Sequence, residues 1–141
     1  MNVEDRLLAM DLLHRYGHCY DQGDIDAMAE CFTEDATFTI NGSVGAMPTA
    51  IEGREAIRQA MGERRAATAH AQRRHIITNV VLDPVDGDPD RIRAASYLLV
   101  GSTEDGTLHL PSTGRYTDVL ARAGDGWLIA ERVLTLDSTI G

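Results

Sequence analysis

The chain has 141 residues and a formal net charge of −9, with 22 acidic residues, 13 arginines and no lysine. This length suits a single domain over residues 1–141. The acidic balance excludes a nucleic-acid-binding domain, which needs a basic face, and an anionic membrane would repel such a surface. Without lysine the chain cannot form a Schiff base, attach pyridoxal phosphate or complete an NTPase phosphate loop, so we expect no cofactor.

The N-terminal segment and the cysteines indicate a cytoplasmic protein. Residues 1–10 lack the apolar stretch of a signal peptide, and no apolar run of the chain approaches the roughly 18 residues that span a bilayer. Cys19 and Cys31 lie in helix-like sequence with no metal-type spacing. We therefore expect two reduced, buried thiols.

Two helices are predicted at the start of the chain. Residues 2–20 carry apolar side chains at helical spacing, namely Ala9, Leu13, Tyr16 and Tyr20. Gly23 is a stop signal for this helix, and Asp24 is the expected N-cap of a second, short helix. The apolar face of the second helix would consist of Ile25, Met28, Ala29 and Phe32.

The rest of the chain predicts one more helix and mostly strands. Residues 36–40 alternate as a strand, residues 41–50 read as a loop, and residues 51–65 return to helical spacing. Four longer strands follow at 75–82, 92–102, 113–122 and 127–136, separated by turn sequences at 83–90, 104–106 and 123–126.

This order of elements predicts an α+β domain. A curved, cone-shaped antiparallel sheet would have three helices from the N-terminal half packed over its concave face. The cavity between the sheet and the helices is then the natural place for a ligand.

Four side chains are the first candidates for chemistry. His75 opens an apolar strand, and if it points inward, burial favours the neutral ring that can accept a proton. Asp21 lies at the end of the first helix, where the helix dipole disfavours an anion, so it either belongs to a turn or has a histidine partner. Tyr16 and Tyr20 are either core residues or hydrogen-bond donors to a substrate oxygen. His14 and His18 share a helix face, but without a third ligand we expect no metal site.

The order of several short motifs resembles the SnoaL-like group of the nuclear transport factor 2-like superfamily. These motifs are Tyr16-x4-Asp21, Gly23-Asp24-Ile25-Asp26, Phe32-Thr33-Glu34-Asp35-Ala36, Gly53-Arg54-Glu55-Ala56-Ile57, His75-x3-Asn79, Gly114-Arg115-Tyr116-Thr117-Asp118 and Gly126-Trp127-Leu128-Ile129. The resemblance implies a cone-shaped α+β fold. It also implies self-association into a dimer or trimer through the outer face of the sheet.

Within that superfamily the chain is similar to scytalone dehydratase and to the bile-acid 7α-dehydratase. The resemblance implies that His75 and Asp21 form a catalytic dyad, with Tyr16 catalytic and Tyr20 binding the substrate. Thr113 stands where scytalone dehydratase has a second histidine, and the resemblance makes it a substrate-binding donor. Leu136 stands near the position of a substrate arginine in the bile-acid enzyme. Neither of those two particular substrates is therefore expected.

The function that we predict is that of a cofactor-independent lyase or isomerase, similar to a dehydratase. Its substrate would be a small, mostly apolar cyclic hydroxy-carbonyl compound, attacked by the His75–Asp21 dyad. The alternative is a non-catalytic ligand-binding protein, or an assembly module similar to the beta subunit of ring-hydroxylating dioxygenases. A His75 ring within reach of Asp21 and away from water would favour the enzyme.

Overall fold

The computed structural model describes residues 1–42 and 49–137. Its three helices are α1 (Val3–Gln22), α2 (Ile25–Ala29) and α3 (Arg54–Ala67). The strands are β1 (Phe32–Asn41), β2 (Thr49–Glu52), β3 (Gln72–Val85), β4 (Asp88–Glu104), β5 (Thr107–Ala123) and β6 (Gly126–Leu136). They form a six-stranded sheet in the order β2-β1-β6-β5-β4-β3, antiparallel except where β1 pairs in parallel with β6.

One face of this sheet carries the core, and the helices cover that face. Alternate residues of β4 are buried, from Ile92 through Ala94, Ser96 and Leu98 to Val100, whereas the residues between them point outward. Helix α1 packs on β3 and β6, and α3 packs on β1 and β2. The predicted α+β class, with helices of the N-terminal half over a curved sheet, is confirmed.

Helix α1 has clear start and stop signals. The Asn2 side chain accepts a hydrogen bond from the Asp5 backbone N–H at 2.8 Å, and the Asp5 carboxylate accepts one from the Asn2 N–H, which forms a capping box. The helix ends at Gly23, whose φ of 79° lies in the left-handed region that favours glycine. The predicted apolar stripe from Ala9 to Tyr20 is the buried side of the helix.

The prediction that Phe32 lies on the apolar face of the second helix is wrong, because this residue begins β1. Helix α2 is only five residues long and ends at Ala29. The Phe32 ring is fully buried and meets the Tyr16 ring edge-on at 5.8 Å between centroids, while its backbone pairs with Ile129 of β6. Core packing therefore draws this residue into the sheet, and β1 is longer than the predicted strand at 36–40.

The prediction for residues 41–52 is corrected in part. Residues 43–48 of the predicted loop lie outside the described residues. Thr49–Glu52 form the edge strand β2, paired with β1, and so Ile51 and Glu52 are not helical. Gly53, with a φ of 92°, separates β2 from α3. A strand of four residues at a sheet edge has too little period to be recognised in the sequence.

The strands of the second half are longer than predicted. The predicted turn at 83–90 shrinks to two residues, because β3 extends to Val85 and β4 begins at Asp88. Within β3, Asn79 has a φ of 53°, and the pairing with β4 shifts between Thr78 and Val81. This bulge resets the alternation, so that Ile77 before it and Leu82 after it are both buried.

The two cysteines are free thiols with different surroundings. Cys31 is buried, and burial raises the pKa of its thiol to about 11, which makes it unreactive at neutral pH. Cys19 is only half-buried, so the prediction of two buried thiols is wrong for this residue.

Within the described residues, no helix combines the length and the apolar character that crossing a bilayer would require.

Candidate functional site

The structure brings the side chains of Asp21 and His75 together between α1 and β3. The distance from His75 Nδ1 to Asp21 Oδ1 is 2.6 Å, and the His75 backbone N–H donates to Asp21 Oδ2 at 2.7 Å. The exposed fractions of the two side chains are 9% for His75 and 8% for Asp21. Strand β3 therefore holds the carboxylate at two points, in a place largely shielded from water.

A glycine allows α1 to approach β3 this closely. Gly17 lies one turn before Asp21, and a Cβ on Gly17 would come within 3.2 Å of His75 Cβ. That separation is shorter than ordinary carbon–carbon contact, so a side chain at this position would push the helix away from the strand. Gly17 thus sets the distance across which Asp21 reaches the imidazole.

An arginine of α3 supplies a compensating positive charge at the end of α1. Arg65 of α3 donates from Nε to the Tyr20 carbonyl at 3.0 Å and from Nη2 to the Asp21 carbonyl at 3.1 Å. These carbonyls are among the last of the helix, where the helix dipole is negative and helical partners are missing. The guanidinium group satisfies them and offsets the cost of placing the Asp21 carboxylate there.

The hydrogen bonds decide which nitrogen of His75 is free. An ionised carboxylate can only accept, so the short contact with Asp21 requires the hydrogen on Nδ1. In the neutral ring, Nε2 then has an unshared electron pair. The pair is therefore arranged as a general base whose orientation and tautomer are held by Asp21.

Two tyrosine rings lie beside this pair. The Tyr20 ring centroid is 4.8 Å from that of His75, and the Tyr16 ring stands edge-on to it at 6.4 Å. Burial raises the pKa of both hydroxyls, that of Tyr16 well above its usual range. Both groups therefore stay protonated near neutral pH and can donate a hydrogen bond.

Below Tyr16 the core contains a buried ion pair that the sequence reasoning missed. Arg132 donates to both carboxylate oxygens of Asp118, at 2.8 and 3.0 Å, and neither side chain is exposed. The Arg132 guanidinium lies between the rings of Tyr16 and Tyr116, 4.5 and 3.8 Å from their centroids. Burial alone would lower the pKa of Arg132, but the Asp118 carboxylate outweighs it and the net shift is upward.

A sequence signal for this pair existed. Residues 114, 116, 118 and 120 alternate as the inward side of a strand, which places the Asp118 carboxylate on the apolar face. An acidic side chain on such a face needs a cationic partner, and Arg132 lies opposite it in the register of β5 and β6.

The structure does not bring Thr113 to the other candidates. Thr113 is opposite Leu99 in the sheet, so it lies on the outer face, whereas His75 lies on the inner one. Its hydroxyl donates to Asp137 Oδ2 at 2.9 Å and is exposed. His14 and His18 are both exposed on α1. In the described part of the chain, no cluster of three or more His, Cys, Asp or Glu side chains could hold a metal ion.

Comparisons with known proteins give a family match and several similar structures. The model of a family described as a SnoaL-like domain matches residues 1–133. The search of curated proteins finds no significant match. A solved structure of a protein of unknown function from Mycobacterium tuberculosis is 29% identical, with a TM-score of 0.77, over 93% of this chain and 70% of that chain.

Two further solved structures are similar over nearly the whole chain. A nuclear transport factor 2-like protein with a cystatin-like fold from Novosphingobium aromaticivorans is 26% identical, with a TM-score of 0.81, over 96% of this chain and 83% of that chain. A protein from Catenulispora acidiphila, solved in complex with S-DNPA, is 28% identical, with a TM-score of 0.76, over 94% of this chain and 92% of that chain.

Proposed function

Because the chain belongs to the SnoaL-like domain family, we propose that it is a cofactor-independent lyase or isomerase in which His75 is the general base. The observation that carries this proposal is the contact between His75 Nδ1 and Asp21 Oδ1 at 2.6 Å, in a place nine-tenths shielded from water. The carboxylate holds the imidazole through Nδ1 and leaves Nε2 as the nitrogen for proton transfer, as in a Ser-His-Asp triad. The complex of a similar protein with S-DNPA supports a role in small-molecule binding.

The proposed reaction removes a proton from a carbon next to a carbonyl group. His75 Nε2 takes the proton, the C–H electron pair forms a new double bond, and Asp21 stabilises the imidazolium that results. A hydroxyl group on the neighbouring carbon takes a proton from a tyrosine hydroxyl and leaves as water, and the imidazolium then gives the proton that it took from carbon to the tyrosinate. To Tyr16, with Tyr20, we assign the hydrogen bond to the oxygen where negative charge develops, because both rings lie beside the His75 ring.

The lining of the inner face favours a substrate with an apolar, cyclic body. The rings of Tyr16, Phe32, Phe38 and Tyr116 lie against one another, with centroids 5.8 to 6.4 Å apart. Surroundings of this aromatic, apolar kind favour an apolar substrate body over a strongly polar one. Thr113 is left out of the proposed site because it lies on the other face of the sheet.

Proton transfer can be tested directly. The chain is incubated in D₂O with a panel of cyclic ketones that carry a β-hydroxyl group, and NMR follows deuterium incorporation and water loss. We expect turnover of at least one compound, and a loss of about 10²- to 10⁴-fold in His75→Ala, the usual contribution of a general base. Full activity in His75→Ala would contradict the proposed mechanism.

We also propose that two or three copies associate through the outer face of the sheet. Ile76, Val81 and Tyr97 point outward from β3 and β4, and their exposed fractions are 44%, 55% and 58%. A cleft of about 520 Å³ lies on the same face, beside Tyr97 and Arg115. An apolar patch of this kind on a sheet surface is typical of an interface.

Light scattering after gel filtration tests this association. We expect a dimer or trimer for the unchanged chain and a shift to monomer for Tyr97→Glu, because the new charge would have to be buried. Leu7→Glu is the matched control, since Leu7 is 64% exposed on α1, away from the sheet face. A monomeric unchanged chain, or an equal shift in both variants, would contradict the proposed interface.

A further inference from the structure

Three arginines lie on α3 and β3, the elements that meet the end of α1 beside the dyad. Arg73 precedes His75 by two residues in β3, so both side chains lie on the inner face of the sheet. Arg64 and Arg65 lie in the last turn of α3, and Arg65 is bonded to the carbonyl groups of Tyr20 and Asp21. This group, Arg64, Arg65 and Arg73, is called the arginine cluster below.

The charges of the arginine cluster act on the Tyr20 hydroxyl. Burial raises the pKa of this hydroxyl, and the positive charges of Arg73, Arg64 and Arg65 oppose that rise. Arg65 is hydrogen-bonded to the Tyr20 carbonyl group, and Arg73 lies on the same inner face of β3 as His75. Positive charge is thus concentrated next to the dyad.

The arginine cluster has no carboxylate partner in residues 1–42 and 49–137. Five other arginines, namely Arg15, Arg58, Arg91, Arg122 and Arg132, each form an ion pair with Asp or Glu. Within the described residues no carboxylate lies within 4.0 Å of the cluster, and the same holds for Arg6, Arg54, Arg74, Arg93 and Arg115. Asp21, whose carbonyl group accepts a hydrogen bond from Arg65, has both carboxylate oxygens bound to His75.

Arg73 shows most clearly that a partner is missing. Its Nε is buried and has no hydrogen-bond partner among the described residues. Leaving a buried charged donor unsatisfied is costly, so such a group usually has a ligand or another role. The two bonds from Arg65 to helix carbonyls give that residue a structural role, but they leave Arg73 unexplained.

We propose that the arginine cluster binds an anionic group of the substrate, a carboxylate or a phosphate, through Arg73. The planar guanidinium fork of arginine fits both groups with paired hydrogen bonds. The acidic surface would repel an anion elsewhere, so a local positive entrance also directs it to this end of the sheet. The inference rests on the proposed function and adds an acid group to the apolar cyclic body of the substrate.

Calorimetric titration of the full chain with three aromatic probes tests this proposal. The probes are 2-naphthoate, 2-naphthyl phosphate and the neutral 2-naphthol, which share one ring system. We expect the unchanged chain to bind at least one anion about 10- to 100-fold more tightly than 2-naphthol, the usual effect of a hydrogen bond to a charged group. Tighter binding of 2-naphthoate would identify a carboxylate site, and tighter binding of 2-naphthyl phosphate a phosphate site.

Variants of Arg73 distinguish an effect of its guanidinium group from an effect of positive charge in general. Arg73→Gln should remove the preference for the anion, and Arg73→Lys should restore part of it. Arg74→Gln is the matched control. It removes the same charge one residue later in the chain, from a side chain that is exposed on the outer face. Circular dichroism shows whether each variant is folded. An equal preference in Arg73→Gln and in the unchanged chain would overturn the proposal.

Failure of this inference can be told from failure of the proposed function. The anion preference is measured by binding to the unchanged chain and does not depend on turnover. If the chain prefers anions but transfers no proton, the proposed role of the arginine cluster is supported and the proposed reaction is contradicted. If the chain transfers protons on neutral compounds and shows no preference for anions, the proposed role of the dyad is supported and that of Arg73 is contradicted.

Discussion

We expect Asp21→Asn to lower the rate of the proposed reaction by about 10²- to 10⁴-fold while leaving the fold intact. The substitution keeps the size and shape of the side chain but replaces one accepting oxygen with an NH₂ donor. In the structure, both Asp21 oxygens accept hydrogen bonds, one from the His75 backbone N–H and one from the His75 ring. An asparagine can accept only one of them.

The hydrogen bond from the His75 backbone N–H decides how the asparagine side chain is oriented. The His75 N–H belongs to the main chain of β3 and cannot become an acceptor, so the asparagine oxygen turns toward it. Its NH₂ group then faces Nδ1 and forces that nitrogen to accept. The ring hydrogen moves to Nε2, and the nitrogen that should take the substrate proton no longer has a free electron pair.

Asp24→Asn provides the matched control for this variant. Asp24 is three residues away and caps α2 by accepting from the Ala27 N–H at 3.1 Å, a role that asparagine fills equally well. Its activity and its free energy of unfolding should therefore stay close to those of the unchanged chain. If Asp21→Asn proved as active as Asp24→Asn in the D₂O assay, Asp21 would have no part in the reaction.

Much of the fold could be predicted because its signals are local. The stripe from Ala9 to Tyr20 has the period of a helix, and the alternation in β4 has the period of a buried strand. The family resemblance read from the ordered motifs is confirmed by the match over residues 1–133. Phe32 and the strand β2 could not be placed, because a five-residue helix and a four-residue edge strand depend on tertiary packing rather than on local pattern.

The candidate site shows the same division. Asp21 stood out because an acid at a helix C-terminus needs compensation, and the structure contains two sources of it, the His75 hydrogen bonds and Arg65. Whether His75 points inward could not be decided from the alternation alone, since the bulge at Asn79 resets the period in the same strand. Arg65 and Arg73 escaped notice because their roles depend on how α3 and β3 lie against the end of α1.

We expect Arg132→Met to lower the free energy of unfolding by about 3–5 kcal/mol, the usual effect of removing one partner from a buried ion pair. The variant leaves the Asp118 carboxylate in the core with no counter-charge, and neither side chain of the pair is exposed. It also removes the cation from between the rings of Tyr16 and Tyr116. Urea unfolding followed by tryptophan fluorescence measures the change.

Arg15→Met is the matched control on the surface. Arg15 pairs with Asp11 at 2.7 Å, but the two side chains are 61% and 59% exposed. Water screens such a pair, so its loss should cost less than about 1 kcal/mol. If Arg15→Met and Arg132→Met had equal effects on the free energy of unfolding, burial would not be the cause.

Replacing both partners distinguishes the cost of a stranded charge from the value of the ion pair. Arg132→Met with Asp118→Leu should recover most of the stability that Arg132→Met loses, because no charge remains in the core. Recovery is favoured further because Arg132 Nη1 is buried without a hydrogen-bond partner among the described residues, a defect that the double variant removes. If stability recovers but the rate in the D₂O assay does not, the role of the Arg132–Asp118 ion pair is to hold the Tyr16 ring beside His75 rather than to stabilise the fold. A double variant as unstable as Arg132→Met would instead mean that the core needs this ion pair itself.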